Sequence, residues 1–140
     1  IPVACHPVEL NGVPYFDGGL TDAIPVRRAL EQGCDKLVVI LSKNRDYVRK
    51  PQGMRRLYRR ACRSYPNIVD AIDRRHVVYN ENWKDVFSLE RDGTAFVFAA
   101  SEPIRVGTYS MKEDAERNLY DLGLRDFAAW KNDLLEFLSI

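Results

Sequence analysis

The Asn11-Gly12 dipeptide and the residues that follow it constrain the fold of this chain more than any other feature. The dipeptide joins two short β-prone runs, Val-Glu-Leu before it and Val-Pro-Tyr after it. Asn-Gly is the strongest short hairpin signal, because both central residues of a type I′ turn need a positive φ angle. We therefore predict a β-hairpin that leads straight into the stretch Tyr-Phe-Asp-Gly-Gly-Leu-Thr-Asp, residues 15–22.

Asp17 lies where the second predicted strand ends, and Gly18 and Gly19 follow it. A carboxylate at a strand end, beside backbone that is free to take unusual dihedral angles, is well placed for site chemistry. The alternative is structural, because an ordinary Asp-Gly turn has the same sequence. Asp22, at the end of the stretch, is predicted to cap the helix that follows.

The next segments predict an α/β arrangement. Pro25 is a good first helical residue, and Gly33 is a typical residue for ending a short helix. Residues 36–41 form a continuous apolar run that predicts an interior strand covered on both faces. Strand, helix and strand in this order indicate a parallel unit with a right-handed crossover. Residues 95–100 predict a second buried strand.

The other segments predict a loop and several helices. Residues 42–53 are polar and interrupted by proline and glycine, which is typical of a loop. A helix is predicted over residues 54–65, with Pro66 as its breaker and a second helix from residue 67. Its expected apolar stripe consists of Leu57, Tyr58, Ala61, Cys62 and Tyr65. Residues 76–82 remain ambiguous, and residues 83–89 predict a further helical segment.

Two more helices are predicted near the end of the sequence. Ser110 and Glu113 have the spacing of a capping box, and the helix they open is expected to stop at Gly123. The last helix is expected over about residues 126–138.

Positive charge is concentrated in one region. Residues 36–75 hold twelve lysines and arginines but three acidic residues, although the whole chain has a net charge of +1. Arg55, Arg56, Arg59 and Arg60 crowd the predicted helix, so we expect them to form a candidate surface for anionic lipid headgroups. The alternative is a solvated basic face on a helix that packs against the core. No nucleic-acid partner is predicted, because the region matches no DNA- or RNA-binding motif.

The ordered set of hairpin, Tyr-Phe-Asp-Gly-Gly-Leu motif, proline-started helix and apolar strand resembles the second half of patatin-like phospholipases. In that family, the Asp of the Asp-Gly-Gly motif partners a serine nucleophile in a Ser-Asp dyad. The resemblance implies that Asp17 is the catalytic carboxylate and that Gly18 and Gly19 shape its turn. The Gly-x-Ser-x-Gly nucleophile elbow and the glycine-rich oxyanion loop do not occur in this chain.

The resemblance implies a three-layer α/β fold with a mostly parallel sheet and helices on both faces. Residues 1–140 would be the C-terminal portion of one such domain, completed by a missing N-terminal half. The whole protein would be a serine esterase or phospholipase acting on lipid or phospholipid esters, and this fragment alone would be inactive. The alternative is a non-catalytic α/β module that binds lipid surfaces or other proteins.

The remaining observations concern cofactors, thiols and location. No cofactor or metal is expected, because the chain has no Cys or His pair at ligand spacing and no phosphate-binding glycine loop. Cys5, Cys34 and Cys62 are an odd, sparse set, which favours buried thiols in a reducing compartment. We expect His6 to have a packing or surface role. We expect a cytoplasmic protein with candidate peripheral membrane contact.

Overall fold

A computed structural model describes residues 7–104 and 113–139. These residues form a mixed α/β structure with four helices and two two-stranded sheets. The strands are β1 (Val8–Leu10), β2 (Val13–Tyr15), β3 (Leu37–Leu41) and β4 (Ala95–Ala99), and the helices are α1 (Val26–Glu31), α2 (Arg55–Ala61), α3 (Pro66–Arg91) and α4 (Glu113–Leu138). The described residues divide into two compact units, one made of residues 7–28 and 48–85, the other of residues 29–47, 86–104 and 113–139.

The hairpin forms as its turn residues predict. Asn11 and Gly12 have φ angles of 51° and 77°, the positive values that a type I′ turn needs. β1 and β2 pair antiparallel, with Leu10 opposite Val13. This part of the fold is therefore specified locally, by two residues that tolerate the left-handed region.

The two apolar strands pair with each other. β3 and β4 are parallel, with Leu37 opposite Ala95. In the described part of the chain, β2 pairs with β1 alone, so the parallel strand–helix–strand unit predicted from β2, α1 and β3 is not formed as a pair of adjacent strands. The expectation that β3 is covered on both faces is wrong, because Val38 and Ile40 are exposed. An uninterrupted apolar run carries no alternation, so the sequence does not mark which face stays open.

α3 is one helix of 26 residues, where the sequence indicated two segments and an ambiguous link. Pro66 is its first residue, a position at which the missing N–H costs no helical hydrogen bond. No glycine or proline follows until Gly93, so nothing in the sequence breaks the helix. Ile72, Trp83 and Val86 are the buried apolar residues along it.

α4 runs through Gly123, so the prediction of two helices separated there is wrong. The described glycines with a positive φ angle are Gly12, Gly33 and Gly93, and Gly123 is not among them. Without a left-handed conformation at this position, a glycine weakens a helix but does not end it. Ser110 of the expected capping box lies outside the described residues. Within the described ranges, no helix is long and apolar enough to cross a membrane.

The described cysteines differ in exposure. Cys62 is buried, as expected, whereas Cys34 is exposed, so the expectation of a buried thiol is wrong there. Neither forms a disulfide. Cys5 and His6 lie outside the described residues.

Replacing Gly123 with alanine should stabilise the protein. An added Cβ would meet nothing within 4 Å, and the backbone there is not left-handed. We therefore expect Gly123→Ala to raise the free energy of unfolding by about 1 kcal/mol in chemical denaturation. Gly93→Ala is the matched control: its φ angle is +75°, so it should destabilise although its surroundings are equally open. A loss of stability in Gly123→Ala would contradict this description of α4.

Candidate functional site

Asp17 caps a short 3₁₀ turn. Gly18–Leu20 forms the turn directly after the hairpin, and Oδ1 of Asp17 accepts a hydrogen bond from the Gly19 N–H at 2.9 Å. The Asp17 carbonyl accepts a second bond, from the Leu20 N–H at 3.1 Å. Asp17 is exposed. The contacts of its side chain are therefore those of a capping residue.

Gly18 and Gly19 serve this turn in different ways. Neither adopts a positive φ angle, so the expected unusual backbone at these glycines is not found. A Cβ at Gly19 would lie 3.2 Å from Asp17 Oδ1 and 3.6 Å from Arg75 Nη2, whereas one at Gly18 would meet nothing within 4 Å. Gly19 is thus needed for close approach rather than for its backbone dihedrals.

Helix α3 holds the turn from one side. Arg75 Nε donates to the Gly19 carbonyl at 2.8 Å, and Asn82 Nδ2 donates to Asp22 Oδ1 at 2.6 Å. Residues seven positions apart share one face of a helix, so these two donors face the loop together. The Asp22 side chain therefore bonds to α3, and the prediction that it caps α1 is wrong.

An apolar contact anchors the same loop. Leu20 is buried in a cluster with Tyr58 of α2 and Ile72 of α3, and Phe16 packs against this cluster. The Phe16 ring also meets the Tyr65 ring edge to face at a centroid distance of 5.1 Å. Phe16 and Leu20 of the motif therefore pack against apolar residues of the same compact unit. A catalytic role for Asp17 stays a prediction that these contacts do not test.

The same cluster fixes the orientation of α2. Tyr58 is 5% exposed, and its hydroxyl donates a short hydrogen bond to Asp73 Oδ1 on α3. Arg55 bonds to the same carboxylate through Nη2 at 2.6 Å and Nε at 3.0 Å to Oδ2. The Arg55 hydrogen bond, followed by that of Tyr58, lowers the pKa of Asp73 to about 2. Burial, followed by the Asp73 hydrogen bond, raises the pKa of Tyr58.

This orientation leaves apolar side chains on the surface. Tyr58 and Cys62 are buried, but Leu57 is 46% exposed and Ala61 is exposed as well. The sequence placed all four in one buried stripe, which is wrong for Leu57 and Ala61. A short helix buries a narrow face, and successive residues are about 100° apart, so position 57 turns away when position 58 points inward.

Three arginines adjoin these exposed apolar side chains. Arg56, Arg60 and Arg63 follow the i, i+4, i+7 spacing, all are exposed, and none forms an ion pair with a described residue. Leu57, Arg60, Ala61 and Arg63 line one shallow surface depression. We call this surface the basic-apolar patch and define it as Met54, Arg56, Leu57, Arg60, Ala61 and Arg63.

Two of the four arginines that the sequence indicated as a candidate surface for anionic lipid headgroups, Arg56 and Arg60, are exposed and lie in this patch. Their binding to lipid stays a prediction. Arg55 does not belong to the patch, because its guanidinium binds Asp73. Arg59 is exposed, but it lies on the side of α2 nearer the Asp73 carboxylate, and its charge helps to lower the pKa of Asp73. Arg63 was missed as a site residue, although its spacing from Arg56 and Arg60 would have indicated it.

Met54 begins the patch in an unusual backbone conformation. It precedes α2 with φ 60° and ψ 39°, the left-handed region, and makes no capping hydrogen bond with its side chain. Its side chain is 73% exposed. A bulky residue rarely takes this conformation, because its Cβ is crowded there. The chain therefore keeps an exposed apolar side chain at a position where glycine would be less strained.

A second surface feature belongs to the other unit. An apolar groove with a volume of about 440 Å³ lies between the exposed face of the β3–β4 sheet and α4. Val38, Ile40, Phe98, Leu122 and Phe127 are among the residues that line it. At one end, the backbone N–H and the hydroxyl of Ser101 donate to the Asp126 carboxylate, at 3.0 and 2.6 Å.

Comparison with known proteins corrects the resemblance stated above. Residues 65–139, more than half of the chain, match the family model described as a domain of unknown function, DUF6363. The Escherichia coli K-12 protein named uncharacterized protein YjjU is 44% identical over 52 residues, which are 37% of this chain and 15% of that protein. No solved structure matches. These findings contain nothing that points to patatin-like phospholipases, and the identification with that family is wrong. The chain covers well under two thirds of YjjU.

Substitution of the two motif glycines should separate their roles. Gly19→Ala places a methyl group 3.2 Å from Asp17 Oδ1, so the cap must shift, whereas Gly18→Ala meets open space. We expect Gly19→Ala to lower the free energy of unfolding by about 1 kcal/mol, the usual value of an N-cap, in urea titrations. Gly18→Ala should change it by less than half as much. Equal effects would contradict the close packing at Gly19.

The pKa of Asp73 predicts a pH dependence of stability. Folding lowers this pKa from 3.8 to about 2. A depressed carboxyl pKa stabilises the fold above the unfolded-state value, and this contribution disappears as the pH falls toward the folded-state value. We expect the stability difference between wild type and Asp73→Asn to be constant above about pH 5 and to shrink between about pH 4 and 2. Urea midpoints across this range measure it, and a difference independent of pH would contradict the assignment.

Proposed function

The chain belongs to the DUF6363 family, a domain of unknown function, and we propose that it binds anionic membrane surfaces through the basic-apolar patch. The observation that carries the proposal is the exposure of Leu57 and Met54 beside three arginines without ion-pair partners among the described residues. An apolar strip flanked by cations matches the boundary between headgroups and acyl chains.

The arginines provide the electrostatic part of binding. Each cation near an anionic bilayer contributes about 1 kcal/mol, so Arg56, Arg60 and Arg63 together would contribute about 3 kcal/mol. Arg55 adds little, because its charge is already balanced by Asp73. Anionic lipids carry the negative surface potential of the cytoplasmic leaflet, so the proposal places the protein in the cytoplasm with peripheral contact to that leaflet.

The apolar side chains provide the second part. Burying a methionine or leucine side chain in an apolar environment contributes about 1.5–3 kcal/mol when burial is complete. The left-handed backbone at Met54 supports a functional interpretation of this side chain, since strained conformations persist where a site needs them. Exposed aliphatic groups would also make the binding less sensitive to salt than charges alone.

Ester hydrolysis is not part of this proposal. Asp17 accepts the Gly19 N–H, and that bond is accounted for by its role as a cap. The hydrolase activity predicted from sequence therefore stays a prediction, and so does a substrate among lipid esters. The proposed membrane-binding surface is the basic-apolar patch, and Asp17 is not one of its residues.

Neutralising the three patch arginines tests the proposal. We expect Arg56→Gln, Arg60→Gln and Arg63→Gln in combination to weaken binding to phosphatidylglycerol-containing vesicles by about a hundredfold at low salt, the equivalent of about 3 kcal/mol. Sedimentation with vesicles measures the change. Thermal unfolding should be nearly unaffected, because these side chains make no described ion pair.

The matched control removes the same charge elsewhere. Arg91, Arg117 and Lys131 are exposed, so their joint replacement by glutamine lowers the net charge equally without touching α2. The control should bind anionic vesicles nearly as well as wild type, and neither variant should bind pure phosphatidylcholine vesicles better. Equal losses in the two variants would mean that net charge, not the patch, governs binding, and the proposal would fail.

A further inference from the structure

A shallow depression on α2 lies where the charged and the apolar side chains of the basic-apolar patch meet. Leu57, Arg60, Ala61 and Arg63 line it, and its volume is about 430 Å³, comparable with that of small-ligand sites. Leu57 is 46% exposed, and the two arginines are exposed as well. The depression therefore offers two guanidinium groups and apolar surface to one bound molecule.

Helix geometry explains why these side chains converge. Leu57 and Ala61 are four residues apart, so they share one face of α2. Arg60 lies about 60° from Leu57 around the helix axis, because each residue turns the helix by about 100°. Arg63 follows the end of α2 and lines the same depression. Arg56 belongs to the patch but is not one of the lining residues.

The charge of the depression matches one class of phosphate group. Neither Arg60 nor Arg63 forms an ion pair with a described residue, so both guanidinium groups can bind an anion. A guanidinium binds phosphate through two parallel N–H···O bonds. A phosphate monoester has three acceptor oxygens and a charge of about −1.5 to −2 at neutral pH. A diester has fewer free oxygens and a smaller charge, so it cannot satisfy two guanidinium groups equally well.

We propose that the depression selects lipids with a phosphate monoester headgroup, such as phosphatidic acid, over lipids with a phosphate diester headgroup. Arg60 and Arg63 hold the monoester between them, and the apolar part of the lipid lies against Leu57 and Ala61. Arg56 adds attraction that does not distinguish between headgroups. This inference rests on the membrane binding proposed above and adds the headgroup class to it.

The apolar lining favours a lipid over a soluble phosphate compound. Leu57 and Ala61 are exposed beside the arginines, and Met54, at the start of the patch, is 73% exposed. A soluble phosphate would pair with the arginines and leave these side chains in water. A lipid headgroup brings its acyl chains to the same place, so the charged and the apolar parts of the patch are used together.

Vesicles of equal surface charge test the selectivity. One set contains phosphatidic acid, and the other contains about twice as much phosphatidylglycerol, at about pH 8, where the monoester carries its second charge. We expect wild type to bind the phosphatidic acid vesicles about tenfold more tightly in sedimentation, the effect of one further charge-assisted hydrogen bond. Equal binding to the two sets would overturn the headgroup assignment and leave the proposed membrane binding in place. Binding to neither set would overturn both.

Lysine variants assign the selectivity to the two arginines. Arg60→Lys with Arg63→Lys keeps the charge but removes the planar fork of donors, so we expect the preference for phosphatidic acid to disappear. Binding to phosphatidylglycerol should stay within about twofold of wild type, because the charge is unchanged. The matched control is Arg59→Lys with Arg74→Lys, two exposed residues outside the depression, which should keep the preference. A preference that survives in the Arg60 and Arg63 variant would overturn the proposal.

A competition experiment separates a lipid from a soluble phosphate. Excess inorganic phosphate at constant ionic strength should leave binding to phosphatidic acid vesicles nearly unchanged, because it has no acyl chain to contact Leu57. Release of the protein from the vesicles would assign Arg60 and Arg63 to a soluble phosphate compound and would overturn the lipid assignment.

Discussion

The hydroxyl of Tyr58 and the guanidinium of Arg55 meet at one carboxylate, Asp73, and the candidate site depends on this contact. It fixes the rotation of α2 about its own axis. With Tyr58 turned inward, Leu57 and Arg60 must face outward, because a helix separates adjacent positions by about 100°. The hydrogen bonds stabilise the charged form of Asp73, as its low pKa reports. The surface chemistry of α2 is thus determined by a bond on its buried side.

Helix α3 connects this contact to the motif after the hairpin. Asp73 orients α2, while Arg75 and Asn82 bond to the loop that contains Asp17 and Asp22. All three of these α3 residues fall within residues 65–139, the segment that matches the DUF6363 model. The loop and the basic-apolar patch both precede that segment in sequence. Side chains in the matched segment therefore hold in place residues that precede it in the sequence. For this reason, a description of the candidate site needs residues from both parts of the chain.

The parts of the fold that the sequence predicted correctly are those that local chemistry determines. Asn11-Gly12 specifies its turn because two adjacent residues tolerate positive φ angles. The partner of β3 and the exposure of Leu57 depend on residues distant in sequence, so periodicity did not reveal them. Gly123 is a case in which local sequence misleads. Glycine is typical of helix ends, but Gly123 lies inside α4 because its backbone does not take the left-handed conformation that ends a helix. The sequence predicted the arginines of α2 as one group. Which of them lacks an ion-pair partner depends on Asp73, because this carboxylate binds Arg55.

Hydrogen exchange with and without anionic vesicles tests the central claim most directly, because it locates the contact surface in the unmodified protein. We expect phosphatidylglycerol vesicles to slow amide exchange in α2 and in the residues just before it. Exchange in the β1–β2 hairpin and in the exposed turns of α4 should stay unchanged. The protection should diminish as salt is added, since surface charges are screened over about 8 Å at physiological ionic strength. Protection that appears elsewhere while α2 exchanges as in the free protein would contradict the account.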